Sequence, residues 1–471
     1  MNSNPSPTGK AKYAWREIDR VEPPKRPVAD RVADFRETAG DFDEATAREQ
    51  ARRCIQCPHP TCVVACPLHC PIPELLELTA DGQFAEAAQL FFATHNIPEL
   101  ASHTCVGGRV CERDCLLAGK SEPVPIRAIT RFLLDYGWKH GLAEPAVASA
   151  KGRSVAVLGS GICGLVTADA LSRKGYAVTV FDSRQKPGGR MMNGLPGFRV
   201  DTDMVARRVE LLSRRGIRFR MGVTFGPEVK LSDLRREFDA VFLGFVRADS
   251  VPLNMPGAEL RGIHPAFPFV SQHSAAVDVR GKRVVVLGGG DTAMDVLRVA
   301  IRCGAASALC VYRRDEASLP ADTEEYADAR EEGAEFSFLS QVVAVLGNVA
   351  GEVTHIRCVR TELVEPTAGN RPEVTPVAGP EFAIPADVIF VAYGFAAAQL
   401  PDSDDFSQLA KERQGRLLVD ANQMTNLPGV FAGGSIVHGP VPLVEVVQDA
   451  QKATIAIDAY LTALPVPTAG R

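Results

Sequence analysis

The sequence predicts an α/β chain with two Rossmann-like dinucleotide-binding domains, one inserted in the other, preceded by a helical domain. Three observations carry this expectation. A strand–glycine turn–helix pattern opens at Ser154, a second copy opens at Arg283, and eight of the twelve cysteines fall between Cys54 and Cys115. The expected division is a helical domain over 1–145, a first nucleotide-binding domain over 146–280 and 395–471, and a second inserted over 281–394.

The first pattern begins with Ser154-Val-Ala-Val-Leu158, whose β-branched run reads as a buried parallel strand. Gly159-Ser-Gly161-Ile-Cys-Gly164 follows, then a helix from Leu165 to Lys174. A second strand, Ala177 to Phe181, ends in Asp182, about where a ribose-binding carboxylate is expected. Glycines at this spacing often do no more than turn a strand into a helix. With both strands and the acid in place they make a cradle for a pyrophosphate at a helix N-terminus. This first site is FAD-like.

The second copy runs Arg283-Val-Val-Val-Leu287, then Gly288-Gly-Gly290-Asp291-Thr292-Ala293, with alanine in the third glycine's place. Its second strand, Leu309 to Tyr312, ends in Arg313-Arg314 rather than an acid. An acid there would repel a 2′-phosphate, whereas arginines accommodate it. The site therefore leans towards NADP over NAD, although an arginine also stacks on adenine without discriminating. An FAD-like site and a nicotinamide-like site in one chain describe a flavin-dependent pyridine-nucleotide oxidoreductase.

The cysteine-rich stretch reads Cys54-Ile-Gln-Cys57, Cys62, Cys66-Pro67 and Cys70, then Cys105, Cys111 and Cys115. A disulfide framework belongs to small secreted domains, and one zinc site would leave four cysteines over. Closely spaced thiolates ending in Cys-Pro, with a second group downstream, suit two iron–sulfur clusters, with zinc as the alternative. Helix formers from Asp43 to Arg53 would deliver Cys54 at a helix end, and Glu74–Leu78 and Ala85–Phe92 have helical apolar spacing. The domain reads as a small helical unit wrapped around its thiols, with metal–ligand energy supplementing a modest core.

A formal charge of −5 and the absence of any Lys/Arg block argue against nucleic-acid binding. Met1-Asn-Ser-Asn-Pro-Ser-Pro lacks the apolar core of a signal peptide, and no apolar run approaches the ~18 residues of a membrane span. With so many unpaired-looking cysteines, the expectation is a cytoplasmic protein without a membrane partner. Residues 1 to about 40, rich in Pro and charge, read as an extended surface arm, and Gly141–Lys151 as a linker. Pro428 to Ser435 reads as a strand running into a glycine turn, and Pro442 to Tyr460 as a helix. His59, His69, His95 and His103 read as packing or surface residues, Glu324 and Glu325 as part of a solvated helix, and His438 as a candidate flavin neighbour. No Ser/His/Asp or paired-carboxylate constellation is present, so no catalytic side chain is assigned and hydride transfer is left to the flavin.

One ordered set of residues resembles a known family. It comprises Arg26-Pro27-Val28 with Arg31 and Phe35, Glu49 to Cys54, the cysteine spacing, Pro187-Gly188-Gly189 through Gly194 to Arg199, Gly288 to Asp295, Tyr312 to Arg314, and Val430 to Gly434. Together these resemble the small subunit of bacterial glutamate synthase and its relatives, including the N-terminal half of dihydropyrimidine dehydrogenase. The resemblance implies Cys54, Cys57, Cys62 and Cys115 on one [4Fe–4S] cluster, and Cys66, Cys105 and Cys111 on another. The family's fourth ligand to the second cluster is often Glu or Gln. The matching stretch, Val124 to Arg131, offers neither; Cys70 either completes the site or is a buried spare thiol. FAD is expected on Gly159, Gly161, Gly164, Asp182, Gly189, Arg190, Gly434 and Ser435. NAD(P) is expected on Gly288, Gly290, Asp291, Thr292, Ala293, Arg313 and Arg314. The chain departs from the family at Asp182, more often Glu; at Ser435, usually Asp; and at Phe245-Val246-Arg247, usually small residues.

The resemblance implies an FAD- and iron–sulfur-dependent NAD(P)H oxidoreductase subunit that passes electrons between a nicotinamide and a partner protein. A hetero-oligomer is expected, with a larger catalytic subunit or a ferredoxin as electron partner. Two alternatives remain. One is an electron wire or scaffold without nicotinamide turnover; the other is a subunit reducing NAD(P)+ with electrons from a metal-cofactor dehydrogenase. The direction of flow is not written in the sequence, because cluster potentials span ~1 V with their surroundings.

Overall fold

The computed structural model describes residues 11–99, 103, 105, 110–144, 147–245, 250–272, 277–364, 373–395, 400–439 and 441–465. Strands are numbered in chain order. β1 (Ser154–Leu158), β2 (Ala177–Asp182), β3 (Arg218–Met221) and β4 (Ala240–Leu243) form a parallel sheet. Val155 to Leu158 are fully buried, as expected of a strand covered on both faces. On one face, the helices Ile162–Arg173 and Leu443–Ala463 share a core with β1 and β2.

The chain leaves this sheet after β4 to build a second unit. That unit is a parallel sheet of β5 (Ile263–Pro265), β6 (Arg283–Leu287), β7 (Ser307–Val311), β8 (Glu335–Ser337) and β13 (Val388–Val391), in the order β5-β13-β6-β7-β8. It starts upstream of the expected boundary at 281. β5 pairs with β13, and Phe269 of the helix Ala266–Gln272 stacks on Phe390 at 4.3 Å within the same core. Between β8 and β13 the chain forms β9 (Ser340–Gly347), β10 (Val353–Val364), β11 (Glu373–Pro376) and β12 (Phe382–Pro385), an antiparallel sheet around β10. It then returns, and β14 (Val430–Ala432) pairs with β4, completing the first sheet as β14-β4-β1-β2-β3.

The N-terminal unit packs the helices Glu44–Ala51, Thr61–Ala65, Ile72–Ala80, Phe84–Thr94 and Ile126–Lys139 around Phe42, Leu75, Leu76, Phe91, Ile129 and Leu133. Asp43 caps the first of these by accepting from the Thr46 amide at 2.7 Å. The arm before it is not the surface tail expected from composition. Its helix Val28–Ala33 carries Arg31, 2% exposed, which donates to Asp328 at 3.2 Å and Glu331 at 2.6 Å in the second nucleotide-binding unit. Among the described residues no helix is long and apolar enough to cross a membrane.

Candidate cofactor sites

The helix Glu44–Ala51 delivers Cys54, whose amide donates to Ala51 at 3.1 Å. Cys62 lies in the short helix Thr61–Ala65 and Cys66 caps its end. The two are one turn apart, about 6 Å along the axis. The eight thiols sort into two neighbourhoods. Cys54, Cys57, Cys62 and Cys115 line one cavity with Ile55, Thr61 and Leu76. Cys105 and Cys111 lie within electrostatic reach of Cys66, and Cys70 within reach of Cys66 and Cys105; Cys62 of the first group also reaches Cys70 and Cys111. Cys62 thus lines the first group's cavity at the border with the second, and Cys66 lies outside that cavity.

Burial pushes Cys54 up to about 12 and Cys62 up to about 11, and neighbouring thiols add to both. Thiols so placed stay protonated until a metal takes the proton's place. Among the described residues, no three His, Cys, Asp or Glu side chains converge on a single ion. The second group reaches towards the first nucleotide-binding unit: Cys66 packs against that unit's core, Leu68 is buried within it, and Gln448 donates to the Pro67 carbonyl. Of the histidines near these thiols, His95 is buried and pushed down to about 4 by desolvation.

The first glycine turn has the shape its pattern requires. Gly159 sits at φ +102°, a backbone closed to most side chains, and a Cβ on Gly164 would overlap the Gly159 carbonyl oxygen. Gly161 caps the helix Ile162–Arg173, and the space where its Cβ would point is open. Gly189 comes down onto the Gly161 Cα, and Gly434 packs on Cys163 of the same helix. Asp182 ends β2 and braces the turn: Oδ2 accepts from the Ser160 amide and hydroxyl, both at 2.7 Å, and Oδ1 from the Arg184 amide at 2.9 Å. Ser435 opens the short helix Ser435–His438.

Arg190 lies at the edge of this cradle, its guanidinium 4.7 Å from the Phe267 ring and 4.0 Å from the Phe395 ring. Desolvation, with Arg184 nearby, lowers it to about 10. His438, the expected flavin neighbour, lies within 3.1 Å of Asp449 Oδ1. Asp449 also accepts from the Gly434 amide and Gln423, all from within the helix Leu443–Ala463. Phe245 packs against Phe225 at 4.7 Å; Val246 and Arg247 lie outside the described residues.

The second turn repeats the design. Gly288 sits at φ +130°, with its missing Cβ directed onto the Ala392 carbonyl. Gly290 caps the helix Asp291–Arg302 and faces open space. Asp291 accepts from the Asp322 amide at 2.7 Å, Thr292 is half-buried and Ala293 fully buried. Arg313 and Arg314 follow β7, the first exposed and the second half-buried.

Below this turn lies a charged network with no local signature in the sequence. Arg199 pairs with Asp295 and Glu325, both at 3.1 Å. Arg298 pairs with Glu325 at 2.6 Å and Glu332 at 3.0 Å, and donates to Thr38 of the arm at 2.6 Å. Glu325 is therefore not on a solvated helix face. Burial pushes it up to about 7, against the pull of Arg199 and Arg298. Glu324 is half-exposed and meets Arg127 of the helical domain. The Arg127 amide donates to Glu112 at 2.8 Å, and its guanidinium to the Cys105 carbonyl at 3.4 Å.

Residues 31–142 match the family described as dihydropyrimidine dehydrogenase domain II, 4Fe-4S cluster, and residues 153–454 match the pyridine nucleotide-disulphide oxidoreductases. The small chain of glutamate synthase [NADPH] from Escherichia coli (strain K12) is 36% identical, over 95% of this chain and 98% of its own. That of Azospirillum brasilense is 37% identical, over 94% of each. The chain belongs to the glutamate synthase small-chain family.

Another relative of this small-chain homologue is the NADP(+)-dependent formate dehydrogenase subunit beta of Moorella thermoacetica, 32% identical over 85% of this chain and 60% of that protein. Mycobacterium tuberculosis FprA, solved in complex with NADPH, shares the fold of the nucleotide-binding units. Its TM-score is 0.56 at 20% identity, covering 66% of this chain and 85% of FprA. The match to the oxidoreductase family spans both parallel sheets and both glycine turns of this homologue, including the return strand β14.

Proposed function

We propose that this chain passes electrons from NADPH to a larger catalytic subunit, with FAD at the first glycine turn, NADP(H) at the second and two [4Fe–4S] clusters in the helical domain. The observation that carries the reading is the sorting of the thiols into two adjacent groups beside a chain segment that holds both glycine turns. A bound flavin takes hydride from a nicotinamide and releases electrons singly, which suits it to stand between nicotinamide and clusters.

The chain's own residues do the rest. Gly161 and Gly290 leave room for phosphates at two helix N-termini, where unpaired amides favour negative charge. Arg313 and Arg314 meet a 2′-phosphate after β7, and Asp182 turns from the Ser160 hydroxyl to a ribose. Arg190, with two aromatic faces against it, holds positive charge beside the flavin cradle. Gly189, Gly434 and Ser435 close the cradle. Cys54, Cys57, Cys62 and Cys115 hold one cluster, and Cys66, Cys105 and Cys111 contribute to the other, nearer the flavin unit. Thiols that must remain reduced and metal-bound fit the cytoplasm. The small-chain and subunit designations of the relatives support a larger partner over a free ferredoxin.

Anaerobic titration of the purified chain tests this. The flavin absorbance is expected to bleach with NADPH at least about tenfold more readily than with NADH, an energy difference of ~1.4 kcal/mol. A flavin-loaded chain that neither nucleotide bleaches would leave the electron-wire alternative standing.

A further inference from the structure

We propose that Cys70 is the fourth ligand of the second cluster, so that both clusters are held by thiolates alone. The inference rests on the two-cluster reading above and deepens it. On assembly the Cys70 thiol releases its proton to solvent and its sulfur bonds one iron, completing a set with Cys66, Cys105 and Cys111.

The backbone is bent to place this thiol. His69 lies in the left-handed region at φ +48°, which a non-glycine residue rarely adopts, and its amide closes a tight turn onto the Cys66 carbonyl at 2.9 Å. The turn leaves the His69 side chain exposed and drives Cys70 inward, 3% exposed, into the core that also holds Cys111. There the Cys70 sulfur lies within electrostatic reach of Cys66, Cys105 and Cys62.

The other oxygen donors nearby are committed elsewhere. Val124 to Arg131 contains no carboxylate or amide side chain, and the Thr130 hydroxyl donates to the Arg127 carbonyl of its own helix at 2.9 Å. Glu112 is the acid facing both Cys105 and Cys111; Asp322 faces Cys105 alone, and its carboxylate caps the helix Thr323–Glu331 by accepting from the Glu324 amide at 3.0 Å. Glu112 Oε1 accepts from the Arg127 amide at 2.8 Å, and its Oε2 pairs with Arg20 at 2.9 Å. To ligate iron it would have to give up one of these partners while buried. Cys70 has none to give up among the hydrogen bonds of its side chain given by the structure, and a thiolate is the better donor to an iron–sulfur cluster.

The test uses the full chain prepared anaerobically as wild type, Cys70→Ala, Cys70→Ser and Thr130→Ala, with iron and sulfide counts and electron paramagnetic resonance before and after reduction. The wild type and Thr130→Ala are expected to carry about eight irons per chain, the content of two four-iron clusters. Cys70→Ala should lose between one and four of these, about half at most, with a three-iron signal in the oxidised protein or loss of one cluster signal. The other cluster's signal and the bound flavin should persist. Cys70→Ser should keep its irons through the serine oxygen but show altered g values for one cluster. Both variants with wild-type iron content and spectra would overturn the assignment. Should Cys70→Ala fail to fold, the spectrum of Cys70→Ser decides alone. A wild type with about four irons would instead overturn the two-cluster reading itself.

Discussion

A methyl group on Gly164 has no place to go, because it would overlap the backbone carbonyl of Gly159 where the helix Ile162–Arg173 meets β1. Gly164→Ala is therefore expected to force the helix off the strand and release FAD, with at least about tenfold weaker retention, or ~1.4 kcal/mol. Gly161→Ala, whose added carbon meets no protein atom, should leave the melting temperature of the FAD-free protein unchanged and still weaken FAD. Flavin content and thermal melts of the two variants check this, and equal melting losses would refute it. These glycines were legible in the sequence because their constraint is local: a turn, a close approach and a helix N-terminus all lie within a few residues. Asp449 and Glu325 were not. Each is one acid in an ordinary helical pattern, and its partners, Gly434 and Gln423 for the first and Arg199 and Arg298 for the second, arrive from elsewhere in the chain.

The elements themselves followed from periodicity. β1 and β6 occupy the residues their apolar runs mark, and the helix before Cys54, Glu44–Ala51, lies within the stretch of helix formers from Asp43 to Arg53. β5 escaped notice because a three-residue strand has too few positions to show alternation. The arm was misread for a different reason: Arg31, Lys25 and Thr38 bond residues 260 to 303 positions away, which composition does not encode. These contacts tie the arm to the helices Asp291–Arg302 and Thr323–Glu331, with Arg298 at their centre, 1% exposed. Arg298→Met removes one partner from buried carboxylates that remain. Such a break costs about 3–5 kcal/mol. The expected outcome is a lower melting temperature together with faster proteolytic cleavage in residues 18–40, while the iron content stays that of the wild type. Unchanged cleavage would mean that the arm is held by something other than this network.

At the scale of the molecule, the two thiol groups differ in where they face. Cys66 packs against the core of the first nucleotide-binding unit and Cys105 lies beside Arg127, which reaches Glu324 of the second. Cys54, Cys57, Cys62 and Cys115 share their cavity with residues of the helical domain alone. With the cofactors placed as proposed, electrons leaving the flavin would meet the Cys66 group first and the Cys54 group last, with the helix Thr61–Ala65 spanning the step between them. Loss of the outer cluster should separate intake from exit. In Cys115→Ala, which offers no ligand atom in the thiol's place, NADPH is expected to bleach the flavin at a rate within about twofold of the wild type, since no residue of either glycine turn is touched. Transfer to the partner subunit or to a ferredoxin should fall at least about tenfold, because an electron tunnelling past the missing cluster must cross a gap that cluster was placed to divide. Rapid-mixing kinetics with NADPH and a protein acceptor measure both steps in one preparation. Transfer at the wild-type rate with the outer cluster gone would place the exit at the Cys66 group. The partner would then have to dock where the helical domain meets the second nucleotide-binding unit, near Arg127 and Glu324, rather than over Cys54 and Cys115.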